Sequence, residues 1–214
     1  MDFISQNRLQ GLPKVLAFSR FLNDLHETNE ILKDCDEFPD LSAPGLRDRL
    51  QVAIKGNVEL EKETPEKGHS RNFLFELVMA GILKRAGFEV HVDRIEDVYF
   101  ELSHRPIFLE CKRMHSEGKL SQRIGGAARQ IGKRCDDSGK SHARGIIALD
   151  VSKILNPGPL LFECSNPPQL DVEAERLLEV FRVMHKSELI PSEDRRLIAV
   201  YVYFRFPFAM HHPA

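Results

Sequence analysis

The chain has 214 residues, of which 42% are hydrophobic and 29% are charged, and its formal net charge is −2. This composition is typical of a globular protein with one sizeable core. No stretch approaches the roughly 20 uncharged apolar residues of a membrane span, and the N-terminus lacks the apolar segment of a signal peptide. We therefore expect a cytoplasmic protein with no membrane partner. The four cysteines form no C-x-x-C pair, which argues against a zinc knuckle.

Residues 1–67 are predicted to form a helical N-terminal element that ends in a charged linker. Residues 5–55 carry apolar side chains at helical spacing, whereas residues 59–67 are rich in charge and have almost nothing to bury. The apolar stripe of these helices includes Leu16, Phe21, Leu22 and Leu25. Because the linker separates this stripe from the main core, the stripe needs another surface to bury against. We expect the N-terminal helices to assemble two or more copies of the chain into a homo-oligomer.

Residues 68–214 are predicted to form the main domain. A helix over residues 71–86 begins after Ser70, a good N-cap, and ends before Gly87, a good C-terminal cap. The remaining elements follow in chain order: strands over 88–92, 97–102 and 107–112, a helix over 121–135, a strand over 145–151, a proline-rich loop over 157–168, a helix over 172–185 and a strand over 196–206. This alternation of helices and strands is typical of an α/β layered fold.

The strand over residues 107–112 carries the most informative pattern of the chain, Glu110-Cys111-Lys112. Successive residues of a strand point to opposite faces, so Glu110 and Lys112 share one face while Leu109 and Cys111 face the core on the other. A carboxylate and an ammonium group are thus presented together by a strand that packing holds in place. A glutamate and a lysine at this spacing are also common on an ordinary half-solvated strand, so further features have to decide between the two interpretations.

Asp97 opens the preceding strand, and a hairpin that turns at residues 103–105 would bring it beside Glu110. Directly opposed residues of a hairpin share a face, so Asp97 has to oppose Glu110 or Lys112. The loop must then contain an even number of residues. Glu101 has the same parity as Asp97 and competes with it as a ligand, but its place beside the turn predicts that it lies outside the site.

Glu76 lies inside the apolar arc of its predicted helix, with Phe73 and Leu77 as neighbours on the same side. A carboxylate rarely goes to such a position unpaired. A metal ion or a water molecule held near Asp97 and Glu110 would satisfy it. A salt bridge with a lysine of the same helix, or a position at a hydrated helix end, would satisfy it equally well.

The helix over residues 121–135 lies in a basic part of the chain: from Lys112 to Arg144, nine lysines and arginines stand against three acidic residues. Its predicted buried stripe consists of Ile124, Ala127, Ala128, Ile131 and Cys135. Arg123, Gln130 and Arg134 fall on one flank, where the guanidinium groups can contact phosphate oxygens and the amide can orient the attacking water. The residues predicted to bind nucleic acid are Arg113, Arg123, Arg129, Lys133 and Arg134. An ordinary solvated amphipathic helix has the same pattern, and this alternative stays open.

In order and spacing, these residues resemble the PD-(D/E)XK, or restriction-endonuclease-like, superfamily of nucleases. The match consists of Glu76 on a first helix, Asp97 on a strand, Glu110-Cys111-Lys112 on the next strand and Gln130 on the following helix. It covers roughly residues 70–150, and Glu96 stands where the motif has a proline that many members lack. The resemblance implies a central mixed β-sheet flanked by helices, with the helical N-terminal element as an addition.

The resemblance also implies a metal-dependent phosphodiesterase that cuts nucleic acid, DNA more than RNA, as an endonuclease. Asp97, Glu110 and the backbone carbonyl of Cys111 would bind Mg²⁺ or Mn²⁺, since hard oxygen ligands favour these ions, and Glu76 would bind a second ion. Lys112 would position or deprotonate the attacking water. Two alternatives stay open: a non-catalytic nucleic-acid-binding module on the same fold, and an oligomeric scaffold assembled by the N-terminal helices.

Overall fold

The computed structural model describes residues 29, 46–54, 69–94, 97–156, 162–164, 166–189, 194–206 and 208–210. The predicted linker lies outside these residues, and so do Leu16, Phe21, Leu22 and Leu25, on which the expected assembly of copies depends. Within the described ranges, no helix carries an apolar stretch long enough to cross a membrane.

Helices and strands alternate along the main domain in the predicted order. The helices are α1 (Leu46–Ile54), α2 (His69–Arg85), α3 (Leu120–Asp137), α4 (Ser152–Leu155), α5 (Pro167–Met184) and α6 (Lys186–Leu189), and a 3-10 turn at Glu117–Lys119 precedes α3. The strands are β1 (Val90–Arg94), β2 (Asp97–Leu102), β3 (Arg105–Arg113), β4 (Arg144–Asp150), β5 (Phe162–Cys164), β6 (Leu197–Tyr203) and β7 (Phe208–Met210).

Five of the strands form a mixed sheet in the order β1-β2-β3-β4-β6. The strands β1, β2 and β3 pair antiparallel, whereas β3, β4 and β6 pair parallel. Parallel neighbours need a crossover connection, which α3 supplies between β3 and β4. A separate parallel pair joins β5 to β7. The predicted α/β class, with a central mixed sheet flanked by helices, is confirmed.

Two helices cover the two faces of this sheet. The helix α2 packs with Leu109 of β3 and Ala148 of β4 in one cluster of buried side chains. The helix α3 packs with Ile147 and Leu149 of β4 in a second cluster, to which Phe108 of β3 also belongs as a partly buried neighbour. Because neighbouring residues of a strand point to opposite faces, β3 and β4 contribute side chains to both clusters. The core is therefore layered as helix, sheet and helix.

A two-residue loop, Ser103 and His104, joins β2 to β3, and its φ angles of 51° and 63° are both positive. Positive φ at both loop residues is the signature of the type I′ turn, whose twist matches that of the two strands. The register of the hairpin pairs Val98 with Leu109. The loop thus has an even number of residues, as required if Asp97 is to share a face with the glutamate of β3.

The helix α3 buries the stripe predicted for it. Its buried residues are Leu120, Ile124, Ala127, Ile131, Gly132 and Cys135, and Ala128 is partly buried against the same cluster. The helix approaches the sheet closely at Gly145 of β4, where a methyl group would overlap the Ile131 side chain. Only glycine leaves room for this contact, so Gly145 sets the height of α3 above β3 and β4.

The part of the N-terminal element that the structure describes packs on the main domain. Leu46 and Leu50 of α1 are buried in the cluster that α2 forms with the sheet. Residues 46–54 therefore contribute to the same core as the residues that follow the predicted linker.

The helix α2 spans His69–Arg85 instead of the predicted 71–86, so Ser70 lies within the helix and does not precede it, whereas Gly87 has the predicted place of a C-terminal cap. Gly87 has a φ of 88°, in the left-handed region that favours glycine, and the Phe88 amide donates to the Leu83 carbonyl at 3.1 Å. This hydrogen bond is typical of a Schellman motif, which turns the chain from α2 toward β1. Because the turn uses residue 88, β1 spans Val90–Arg94 instead of the predicted 88–92.

The predicted loop over residues 157–168 was wrong in part, because it includes β5 and the start of α5. Asn166 caps α5 by accepting a hydrogen bond from the Gln169 amide at 2.9 Å. Proline lacks an amide hydrogen, but the first turn of a helix does not need one, so Pro167 and Pro168 begin the helix. The closing strand predicted over residues 196–206 also differs: β6 ends at Tyr203, and β7 follows it.

Candidate active site on the central strand

A buried carboxylate lies near the middle of the sheet, on β3. Glu110 is only 5% exposed, and its side chain points to the face that α3 covers. The Lys112 ammonium contacts one oxygen of this carboxylate, and the Arg134 guanidinium donates to the other. Lys112 belongs to the same strand, whereas Arg134 belongs to α3. The structure thus brings three of the predicted site residues together.

This Glu110 cluster, which consists of Glu110, Lys112 and Arg134, carries two positive charges and one negative charge. Burying a carboxylate is costly unless it is paired and hydrogen-bonded, and the two cations satisfy both of its oxygens. The side chains of Lys112 and Arg134 are 20% and 14% exposed, so solvent reaches the cations more easily than the carboxylate. An excess of positive charge that opens to solvent attracts phosphate groups.

The last turns of α3 are held in place by Arg196, the residue before β6. Its guanidinium donates to the Gly132 carbonyl at 3.1 Å and pairs with Asp136 at 2.6 Å and with Asp194 at 2.7 Å. Hydrogen bonds to Asp194 and Asp136 raise the pKa of Arg196 above its already high usual value. Exposed ion pairs of this kind contribute little singly, but several in one network restrain the end of the helix that carries Arg134.

Asp97 is the first residue of β2, and the hairpin register, continued by one residue, places its backbone opposite Glu110. Because directly opposed residues of a hairpin share a face, this is the position that Asp97 needs in order to share a face with Glu110. The side chain of Asp97 lies outside the part of the chain whose side chains are described. Glu101 is exposed and opposes Pro106 beside the turn, at the far end of the hairpin from this point.

Aromatic side chains lie on the same face of the sheet, next to the Glu110 cluster. Tyr99 of β2 stacks on His91 of β1 with ring centroids 4.5 Å apart, and the Tyr99 ring meets Phe108 of β3 at 6.1 Å. Both His91 and Tyr99 are half-buried. These aromatic residues were not among the predicted site residues, although strand alternation places Phe108 on the face of Glu110. Planar rings beside a phosphate site can stack on nucleic-acid bases.

The other predicted residues of α3 lie on its surface. Gln130, Arg129 and Lys133 are exposed, and Arg123 is half-buried. The helix therefore presents a series of cations to solvent. Arg134 is the point at which this basic surface meets the buried carboxylate of the sheet.

Two predicted metal ligands belong to the α2 side of the sheet. The Cys111 side chain packs against the cluster that contains α2, which leaves its backbone carbonyl for the site. Glu76 lies on α2 itself, half-buried and with its Oε2 atom buried. The binding of a second ion by Glu76 stays a prediction.

Arg113 follows Lys112 along β3 and therefore points to the α2 face. It was predicted to contact nucleic acid, but it is 6% exposed and its Nε donates to Asp150 Oδ2 of the adjacent strand β4 at 2.9 Å. The Ser152 amide donates to the other oxygen of Asp150, also at 2.9 Å. Burial alone would raise the pKa of Asp150, but the Arg113 and Arg205 guanidinium groups and hydrogen bonding from Ser152 hold this pKa below its usual value.

Asp150 was not among the predicted site residues. A signal was present, because Asp150 directly follows the apolar run at residues 145–149. A charged residue in this position stands at the carboxyl end of a buried parallel strand, where α/β sheets commonly form their binding sites.

The residues predicted to bind a metal ion at Glu110 are oxygen donors, and both oxygens of the Glu110 carboxylate are paired with Lys112 and Arg134. Glu110 offers a carboxylate, Cys111 offers a backbone carbonyl, and Asp97 stands at the opposed position of the hairpin, an oxygen set of the kind that Mg²⁺ and Mn²⁺ prefer. Among the side chains that the structure describes, which do not include Asp97, no group of three or more histidine, cysteine, aspartate or glutamate residues could hold a metal ion.

Comparisons of the chain with protein-family models, with curated proteins and with solved structures find no match.

Proposed function

We propose that the chain is a metal-dependent nuclease of the PD-(D/E)XK type, which hydrolyses phosphodiester bonds and acts on DNA in preference to RNA. The Glu110-Cys111-Lys112 segment of β3 carries this proposal. Glu110 and Lys112 contact each other on one face of the strand, across from the first residue of β2, Asp97. Aspartate, glutamate and lysine are residue types that phosphodiester hydrolysis uses, and the backbone of β2 and β3 brings these three residues to neighbouring positions of the sheet.

In this proposal, Asp97, Glu110 and the carbonyl of Cys111 would hold Mg²⁺ or Mn²⁺. Glu76, predicted to hold a second ion, lies on α2, which covers the opposite face of the sheet from the Glu110 carboxylate. When bound, such an ion supplies charge compensation at the phosphorus and makes a water molecule more acidic. Lys112 orients the attacking water and neutralises charge that develops on the phosphoryl oxygens, since its ammonium lies at Glu110 and is open to solvent in part.

The surface of α3 supports a role in holding the substrate. Arg123, Arg129 and Lys133 accompany Arg134 along the helix, and cations in such a series contact the phosphate backbone without regard to base sequence. The exposed amide of Gln130 can donate a hydrogen bond to a backbone oxygen or orient the attacking water. On the neighbouring strands, the stacked rings of Tyr99 and His91 offer a platform for bases.

The topology of the sheet supports the finer assignment to a restriction-endonuclease-like core. The antiparallel strands β2 and β3 carry the acidic residues and the lysine, and the parallel strand β4 is reached through α3. The preceding helix, α2, carries the first glutamate of the motif. This order of elements is the one that the motif implies.

A different class of function accounts for the same cluster: a non-catalytic nucleic-acid-binding module or an oligomeric scaffold. The observation that favours it is the pairing of Glu110 with two cations. A buried carboxylate satisfied in this way can hold α3 on the sheet without any chemistry. Lys112 and Arg134 would then be structural residues, and nucleic acid would be bound without being cut.

The test is incubation of the protein with circular, linear and single-stranded DNA and with RNA, each in Mg²⁺, Mn²⁺ or EDTA. The proposal predicts cleavage that requires a metal ion, with circular DNA converted to nicked or linear forms, which only internal cleavage gives. Glu110→Gln should abolish cleavage, and Glu101→Gln, an exposed glutamate of β2, is the matched control. Binding without cleavage under every condition would favour the alternative.

A further inference from the structure

The helix α3 covers only part of the sheet face that carries Glu110. Among the described residues, the buried cluster beneath α3 takes side chains from β3, β4 and β6 and none from β1 or β2. On β1 and β2 this face carries the rings of His91 and Tyr99, which oppose each other in the register of the two strands. Phe108 of β3 opposes Tyr99 in turn. These three residues form an aromatic strip that runs from beside the Glu110 cluster to β1.

The rings of the aromatic strip support one another. Phe108 packs in part against the cluster beneath α3, and its ring lies 6.1 Å from that of Tyr99. The rings of Tyr99 and His91 are stacked, with centroids 4.5 Å apart and planes 13° from parallel. The strand β1 is an edge strand of the five-stranded sheet, and the His91 side chain is 33% exposed. A supported ring at a sheet edge is a surface on which another planar group can stack.

The charges at the two ends of the aromatic strip differ in sign. At the end beside α3, the Glu110 cluster has two cations and one carboxylate, and the further cations of α3 add to this charge. At the far end, Glu101 is exposed, and Glu89 is 84% exposed with its carboxylate 3.7 Å from His91 Nε2. Phosphate groups are attracted to the first end and repelled from the second. A nucleic-acid strand bound here therefore keeps its phosphates near α3 and directs its uncharged bases over β2 and β1.

We propose that the aromatic strip binds the unpaired bases of single-stranded DNA, and that such a strand is the preferred substrate of the Glu110 site. This inference rests on the proposed function, whose substrate it narrows. The bases of a duplex are paired and stacked on one another, so they present only their edges in the grooves. An unpaired base offers its flat face to a protein ring, and this contact tolerates any base sequence.

The aromatic strip is close enough to the proposed catalytic residues for one strand to reach both. Tyr99 lies two residues along β2 from Asp97, and Phe108 lies two residues along β3 from Glu110. Two residues of a strand span about 7 Å. A strand whose phosphate lies at the Glu110 cluster thus has a neighbouring base within reach of the rings.

Charge alone would favour the opposite substrate. Duplex DNA carries one negative charge per about 1.7 Å of its axis when both strands are counted, so a surface that recognises only phosphates binds the duplex at least as tightly as a single strand. Tighter binding of the single strand at equal salt therefore reports contacts with bases. An abasic strand tests this directly, because it keeps the phosphates and lacks the bases.

The test is equilibrium binding of the full chain in EDTA, measured by fluorescence anisotropy at one salt concentration. Three probes of equal length are compared: a labelled single strand of mixed sequence, the same strand annealed to its complement, and an abasic strand. The intact single strand should bind at least about tenfold more tightly than the duplex and than the abasic strand, because stacking of one base on a ring contributes about this factor.

Two variants locate the contact on the aromatic strip. His91→Thr and Tyr99→Thr each remove a ring and keep a residue that suits a strand. Each should weaken binding of the single strand about tenfold and leave binding of the duplex little changed. Tyr99→Phe keeps a ring and should bind as the parent does. The control is Tyr201→Thr, at an exposed tyrosine of β6 that opposes Ala148, a residue of the cluster on the α2 face.

Three results would overturn the proposal: the duplex binds as tightly as the single strand, the abasic strand binds as tightly as the intact strand, or folded His91→Thr and Tyr99→Thr bind the single strand as Tyr201→Thr does. The first two are measured on the parent, so they do not depend on the folding of a variant. A protein that prefers single-stranded DNA but never cuts it contradicts the nuclease function alone. A protein that cuts DNA in Mg²⁺ but binds the duplex equally well contradicts this inference alone.

Discussion

The two faces of β3 carry charged clusters that differ in their access to solvent. On the α3 face, Glu110 pairs with Lys112 and Arg134, whose side chains are 20% and 14% exposed. On the α2 face, Arg113 and Asp150 pair with side-chain exposures of 4% and 3%. The cations of the first cluster can meet a substrate, whereas the second is an ion pair fixed in the core. The face of β3 toward α3 thus carries charged groups that solvent reaches in part, and the other face carries a buried ion pair with β4.

This difference decides what each substitution changes. Lys112 and Arg134 are partly open to solvent, so their removal can change both binding at the surface and the pairing of Glu110. Removing one partner of a fully buried pair leaves an uncompensated charge and destabilises the fold strongly. We therefore expect substitutions of Lys112 and Arg134 to cost less stability than substitutions of the Arg113–Asp150 pair.

The largest expected loss of stability is that of Asp150→Asn, about 3 to 5 kcal/mol at pH 7, because Arg113 then stays charged and buried without its carboxylate. Urea unfolding measures the loss, and Asp171→Asn, an exposed aspartate of α5, is the control. A loss similar to that of the control would mean that the two faces do not differ in the way described.

The pH dependence of the same variant sharpens the comparison. Since the pKa of Asp150 is lowered in the folded state, its carboxylate stabilises the fold above the pKa that it has in the unfolded chain. That contribution is lost as the pH falls through the lowered folded-state pKa. The difference in unfolding free energy between parent and variant should be constant above about pH 5 and should shrink below about pH 4.

Gly145→Ala tests whether the distance between α3 and the sheet affects the activity that is proposed for the Glu110 cluster. The added methyl group overlaps Ile131, so we expect a loss of about 1 to 3 kcal/mol in unfolding free energy and a lower cleavage rate, although no site residue is changed. Gly118→Ala is the control, because a methyl group at Gly118 meets open space. Unchanged stability in Gly145→Ala would show that α3 can move away from the sheet without cost.

Arg123 and Arg134 form a matched pair on α3. If each arginine contacts one phosphate, as proposed, each substitution to Gln should reduce by about 1 the slope of the logarithm of the binding constant against the logarithm of the salt concentration. Arg134→Gln should also lower the unfolding free energy by about 1 to 3 kcal/mol, because it removes a charged hydrogen bond to the buried Glu110. Arg123→Gln should leave stability unchanged. If neither variant alters nucleic-acid binding or its salt dependence, the arginines of α3 are ordinary solvated residues that do not contact nucleic acid.

The smallest expected effect is at the turn between β2 and β3. Replacing Ser103 with Asn and His104 with Gly should raise the unfolding free energy by about 0.5 to 1 kcal/mol, because both residues have positive φ and Asn-Gly suits a type I′ turn. Cleavage should not change, since the register that sets Asp97 opposite Glu110 is kept. Lower stability of the double variant would contradict the assigned turn.

Much of the arrangement around β3 could be predicted because it depends on local periodicity. The alternation of side chains determines that Glu110 and Lys112 share a face, and it requires the even loop that Ser103 and His104 form. The spacing of apolar residues likewise predicted the buried stripe of α3. In each case the signal lies within a few residues of the feature that it predicts.

The partners of the charged residues could not be predicted in the same way. Alternation indicates that Arg113 points away from Lys112, but its partner Asp150 is 37 residues later and meets it only through the parallel pairing of β3 and β4. The contact of Arg134 with Glu110 spans 24 residues and depends on how closely α3 approaches the sheet. Periodicity determines the face on which a residue lies, whereas its partner follows from tertiary packing.

The most direct test of the proposed nuclease function is the cleavage rate of Lys112→Ala compared with that of Lys133→Ala, a substitution of an exposed lysine of α3. Lys133→Ala should unfold at nearly the urea concentration of the parent, whereas Lys112→Ala should lower the unfolding free energy by about 1 to 3 kcal/mol, because it removes one partner of the buried Glu110 carboxylate. Both variants should remain folded at 25 °C without urea and should still bind nucleic acid. Lys112→Ala should cleave at least about a hundredfold more slowly in Mg²⁺, comparable to the loss of a positioned proton-transfer group, while Lys133→Ala stays within a few-fold of the parent. A folded Lys112→Ala protein that cleaves at the parental rate would contradict the site assignment and the function that rests on it.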